Sequence, residues 1–151
     1  MEKKENRLIN SRLGQRLVAQ ERIINFPRGL IGFEKEREFT LLRVQDDSPF
    51  MVLQSLQRSD LGLIVTDPYC FIQNYQIRIN DFEQGVLHAE SINELAVLVT
   101  VTIPQGEPEK TSLNLSGPIV LNIHKRLGIQ VPQVDTSFPS HFLISQAEDM
   151  C

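Results

Sequence analysis

The sequence predicts a mostly β fold: a small antiparallel β-barrel-like or sandwich domain with one or two short helices. Three observations predict it. Short segments rich in Val, Ile, Leu, Phe and Thr recur between turn residues, one of them keeps a strict period of two for nine residues, and helical spacing is scarce. With 151 residues, 41% apolar and 23% charged, the chain suits one core that buries roughly two thirds of the surface exposed on unfolding. No linker rich in Pro, Gly or Ser divides it. Residues 14–134 therefore read as a single domain, preceded by a polar, flexible leader over 1–13 and followed by a tail over 135–151.

The expected strands, in order, span 21–26, 39–44, 50–56, 61–66, 95–103, 111–115 and 119–123, with 128–131 as an eighth. The first ends at FPRGLIGF (26–33), where Pro27, Gly29 and Gly32 make a turn. FEKEREF (33–39) alternates charge sign as a solvated surface does, and its pattern allows one turn of helix with Phe33 inward. LAVLVTVTI (95–103) is the clearest strand, with Leu95, Val97, Val99, Val101 and Ile103 on one face and Ala96, Leu98, Thr100 and Thr102 on the other. Pro104 and the PQGEP turn end it. The helix candidate is NDFEQGVLH (80–88): Asn80 caps it, acidic residues fill its first turn, and Phe82, Val86 and Leu87 share a face. In the tail, FPSHFLI either folds back over a sheet edge or stays a mobile arm, the first being the expectation.

Net charge is −4, unevenly spread. Residues 1–22 carry six Lys/Arg against three Asp/Glu, and residues 23–151 carry nine against sixteen. An acidic body repels phosphate and disfavours direct nucleic-acid binding, whereas a basic protein partner is attracted. The leader lacks the apolar stretch of a signal peptide, and no run approaches the roughly 18 apolar residues of a membrane span. A cytoplasmic protein with no membrane association is expected. The two cysteines, Cys70 and Cys151, show no C-x-x-C spacing, so neither a disulfide framework nor a zinc site is implied. Cys70, among aromatics in DPYCFI, reads as inert packing.

No catalytic, cofactor or metal constellation emerges. FPRGLIGF holds only G-x-x-G, not the pattern that cradles phosphate. His88-Ala89-Glu90 matches the H-x-E of zinc deaminases without the P-C-x-x-C that must follow. His88, His124 and His141 lack ligand spacing. Ser140-His141 has no third group to orient it.

DDSPFMVLQSL (46–56) raises a sharper question. Asp46 and Asp47, followed by Ser48-Pro49, read as turn residues whose side chains bond nearby amides, rather than as an acid/base pair. The strand beyond them places Phe50, Val52, Gln54 and Leu56 on one face and Met51, Leu53 and Ser55 on the other. A strand apolar on both sides is either central to a two-layer core or partly a binding surface, and Gln54 needs a hydrogen-bond partner from this chain or another.

This stretch, with FPRGLIGF (26–33), LIVTDPYCFI (63–72), ELAVLVTVTI (94–103) and LNLSGPIVLNIHKRLGIQV (113–131), resembles in order and spacing the flagellar assembly factor family, FliW. Two departures are local: Ser116-Gly117-Pro118 stands where the family commonly shows Ala-Pro, and Pro132 falls where an unbroken strand is usual. The resemblance implies a barrel-like protein without catalysis that binds flagellin in the cytoplasm as a chaperone-like partner. It also implies antagonism, by partner switching, of CsrA, a basic translational repressor of flagellin. For flagellin, whose terminal segments form amphipathic helices in the filament, an apolar groove is expected. Partner-binding candidates inside the matching segments are Ser48, Pro49, Phe50, Gln54, Asn114, Pro118 and Asn122. The alternative reading is a β-barrel carrier of a small apolar ligand.

Overall fold

The computed structural model describes residues 6–134 and 137–146. Residues 1–5 of the expected leader, and 135–136 and 147–151 of the expected tail with Cys151 among them, lie outside the described residues. The described residues form β1 (Asn6–Ser11), β2 (Gly14–Ala19), β3 (Ile24–Asn25), β4 (Glu38–Arg43), β5 (Phe50–Ser55) and β6 (Gly62–Thr66). They continue with α1 (Asp81–Val86), β7 (Leu95–Thr102), β8 (Ser112–Leu113), β9 (Ile119–Asn122), β10 (Leu127–Gln130) and β11 (Phe142–Leu143).

Strands β3, β4, β5, β6, β7, β9 and β10 pair in that order, and β10 returns to β3, so the sheet closes into a barrel. Every pairing in the ring is antiparallel except β3 with β10. Closure leaves the ring without the long open edges of a flat sheet. Outside the ring, β8 follows the far end of β7, and β11 covers the outer edge of β8. The tail thus folds back over a sheet edge, as FPSHFLI suggests.

The barrel interior is solid. Phe26, Phe39, Leu53, Val65 and Ile119 are completely buried there, and the Phe26 and Phe39 rings meet edge to face at 5.2 Å. Phe26 fits only because residue 128 is glycine: a Cβ there would lie 2.5 Å from the ring. Met51 and Leu53 project inward from β5, which answers which face of that strand meets the core.

The outer wall carries further apolar layers. Phe71, Tyr75, Leu113 and Leu115 pack over Val99 and Val101 of β7, and Leu87 at the end of α1 packs over Val120, Ile129 and Val131. The period-two face of β7 therefore looks out of the barrel beneath a cover, while Leu98 looks in. Helix α1 has the predicted Asn80 cap, completed by Glu83 into a reciprocal capping box. Phe82, however, is 59% exposed, and burial of the helix rests on Leu87.

Four further expectations are corrected. From Asn6 onward the polar leader is the first arm of a β1–β2 hairpin, whose Ile9 and Val18 pack on Ile23 and Leu56. Residues 21–26 contribute a short 3-10 turn and only two paired residues, and FEKEREF forms a turn rather than helix. Cys70 is buried in the layer over β7 and is disulfide-bonded, not the free thiol that inert packing implies.

Candidate functional site

The barrel wall is incomplete at one place. Strand β6 pairs with β7 only at Val65↔Thr100 and Thr66↔Val99, whereas residues 95–98 of β7 are fully paired with β9 on their other side. The sequence at the end of β6 explains the early departure. Pro68 has no N–H to donate to a ladder, and the Asp67 carboxylate accepts a hydrogen bond from Tyr69 N–H (2.9 Å), starting a 3-10 turn at Pro68–Cys70. A notch is left in the wall beside residues 95–98.

An open groove of about 740 Å³ occupies this notch. Its floor is made of inward-facing barrel residues, Leu41, Met51, Leu98 and Leu121. One wall is the start of β7, and the other is the extended stretch carrying Ile77 and Ile79. Ile92 (58% exposed), Ile123 (52%) and Tyr69 stand on the rim. Three large apolar side chains kept in water around one concavity are the mark of a surface that another molecule covers. Among the described residues Asp67 is the sole charged side chain in the lining. Burial, with the nearby Asp67 charge, pushes the Tyr69 phenol above its ordinary range, and burial raises that of Tyr75 further. Both rings are neutral at physiological pH, and Tyr75 donates to Leu115 C=O at 2.6 Å.

The FliW protein family model matches residues 7–144, nearly the whole described chain. The chain belongs to the FliW family. It is 53% identical over 136 residues to the flagellar assembly factor FliW of Nitratidesulfovibrio vulgaris strain DP4, covering 90% of this chain and 79% of that one. It is 33% identical over 134 residues to the Bacillus pumilus protein of the same name, covering 89% and 92%. A crystal structure of the flagellar assembly factor FliW superposes with a TM-score of 0.83 at 30% identity, covering 91% of this chain and 96% of the other. The chain is thus a flagellar assembly factor of mostly β, barrel-like fold. Among the described residues no helix is long and apolar enough to cross a membrane.

In this FliW-family chain the candidates taken from the sequence do not converge on one surface. Gln54 is completely buried and answered by its own chain: its Oε1 accepts from Arg12 N–H (3.0 Å), and its Nε2 donates to the carbonyls of Ser55, Arg58 and Ser59. Asn122 is buried too, donating to Leu87 C=O at 2.9 Å and so tying the end of α1 to the barrel. Pro118 is buried, its carbonyl accepting from Val131 N–H. All three are buried and hydrogen-bonded within this chain. The Asn114 side chain accepts from the N–H and hydroxyl of Ser116, shaping the Ser116-Gly117 bend.

Ser48, Pro49 and Phe50 lie together where the 45–48 turn enters β5. The turn is closed by Ser48 N–H to Gln45 C=O, with Asp46 and Asp47 exposed at its tip as expected, but the side chain that caps it is Ser48, accepting from Phe50 N–H at 3.1 Å. The half-buried Phe50 ring stacks nearly parallel on Phe71 at 6.3 Å.

The groove residues were not singled out beforehand. Ile92 and Ile123 fall at the ends of segments, where apolar side chains are ordinarily read as frayed strand ends. The one sequence signal was Asp67-Pro68, a strand ending in a residue pair that stops pairing.

Proposed function

We propose that this flagellar assembly factor is a non-catalytic cytoplasmic protein that binds flagellin through the groove beside residues 95–98 and that, by partner switching, it antagonises CsrA. The observation that carries the flagellin half is the groove itself, apolar on floor and rim, with Ile92, Ile123 and Tyr69 exposed. The CsrA half rests on family membership and on the charge of the body, where sixteen acidic residues face nine basic ones over 23–151. Such a surface speeds encounter with a basic protein and loses that advantage in salt. A switch further requires that binding one partner weaken binding of the other.

The carrier reading is disfavoured by the barrel interior, which is filled by Phe26, Phe39, Leu53 and Ile119 where a ligand would have to sit. Co-purification from flagellated cells tests the proposal. The expected result is retention of flagellin, with CsrA retained when flagellin is scarce and released when flagellin is added. Failure to retain flagellin at micromolar concentration and modest salt contradicts it.

A further inference from the structure

We propose that the groove's occupant binds as an extended strand added to the open edge of β7. This rests on the reading that flagellin fills the groove, and it specifies how. Backbone polar groups along a strand alternate between its two edges. Thr100 C=O accepts from Asn114 N–H (3.0 Å) on the β8 side, so the backbone groups of Ala96 and Leu98 face β9 on that same side. Those of Val99 face β6, and those of Val97 face the notch, where β6 has already turned away.

The opposite wall repeats the pattern. Residues 76–80 alternate exposed and half-buried, with Ile77 and Ile79 packed on the cluster of Leu87, Val120, Ile129 and Val131 and Gln76, Arg78 and Asn80 outward, as an extended chain does. On one edge of this stretch the Gln133 side chain imitates a neighbouring strand: its Oε1 accepts from Arg78 N–H (2.7 Å) and its Nε2 donates to Arg78 C=O (3.0 Å). The backbone groups of Ile77 and Ile79 point to the other edge and have no partner among the described residues.

An occupant that expels water from the groove must therefore satisfy these groups. A helix bonds its own backbone internally and would bury them unpaired, at a cost for each. An extended segment supplies matching donors and acceptors, which is how strand addition gains affinity. The open edge of four residues admits about 13 Å of strand. Its two faces meet apolar surface, Leu98 and Met51 inside and Ile77 and Ile92 outside, so the segment is apolar on both sides. With Asp67 the sole charge in the lining among the described residues, a Lys or Arg at the end of that segment is favoured.

Amide hydrogen exchange by NMR on the full chain, alone and with soluble flagellin, tests this. Amides of Val97, Ile77 and Ile79 are expected to exchange fast in the free chain and at least about tenfold more slowly when bound, while Ala96 and Leu98, held by β9, are slow in both. If flagellin binds and shifts the Ile92 and Ile123 methyls yet leaves Val97, Ile77 and Ile79 exchanging as before, strand addition is wrong and the groove assignment stands. If flagellin does not bind, both fall. Val97→Pro deletes one edge N–H and is expected to weaken flagellin about tenfold; should that variant not fold, the exchange data on the unaltered chain still decide.

Discussion

Gln54 and Val97 both stand where polar groups interrupt apolar packing on the barrel wall, and the fold treats them in opposite ways. Around Gln54 the wall is finished from within. The side chain makes four hydrogen bonds, and Arg12 reaches over it to Gly62 C=O at 2.6 Å, fastening the β1–β2 hairpin to β5 and β6. Glycine at position 62 is required, because a Cβ there would lie 2.7 Å from Gln54 Oε1. Around Val97 the wall is left open, with Ile92 and Ile123 exposed on its rim. The difference separates a polar residue that serves the fold from polar backbone available to another chain.

The predictions probe that contrast in descending order of their effect on stability. Leu53 of the solid interior sets the scale: Leu53→Ala is expected to cost about 2–5 kcal/mol, read as a fall in chemical-denaturation midpoint. Gln54→Leu keeps the volume but strips three carbonyls and the Arg12 N–H of their partner, and should cost about 2–3 kcal/mol and loosen the hairpin in hydrogen exchange. An unchanged stability with weakened flagellin binding would place Gln54 with the groove and reverse the comparison. Phe50→Ala, removing a half-buried ring stacked on Phe71, should cost about 2 kcal/mol.

Tyr75→Phe should cost about 1 kcal/mol through loss of the bond to Leu115 C=O. It also changes the alkaline limb. Burial raises the Tyr75 phenol above the ordinary value of 10.0, so the folded chain keeps a proton that the unfolded chain releases. Stability is full below pH 10 and falls as pH rises beyond it; in Tyr75→Phe this alkaline loss is reduced.

Much of the fold was legible because strands on this barrel are short and bounded by strong punctuation. Pro104 and Asn80 ended and began elements where the sequence said they would. What the pattern could not show was which face is inside. Val97, Val99 and Val101 read as one face of a strand and are one, yet the core they join is the outer layer, because Phe71, Tyr75 and Leu113 arrive from distant segments to cover them. The hairpin was missed for a related reason: Arg7, Arg12 and Arg16 dilute its alternation, and its burial rests on Ile9 and Val18 alone. The groove was illegible because it is formed by absent pairing, and no residue type marks a strand that fails to continue beside β7. Ser48, Pro49 and Phe50 were legible as a unit, although the groove and that corner are separate features of β5 and its entry turn.

The central claim is that the notch beside β7 is where flagellin binds. Isothermal titration of flagellin into Ile92→Glu and Ile123→Glu tests it most directly, because both side chains lie mostly in water and their replacement should alter stability by no more than about 0.5 kcal/mol. The account predicts that each variant melts like the parent chain and binds flagellin at least about tenfold more weakly, as loss of a contact near 1.4 kcal/mol requires. Parental affinity in both variants, with parental melting, would contradict it.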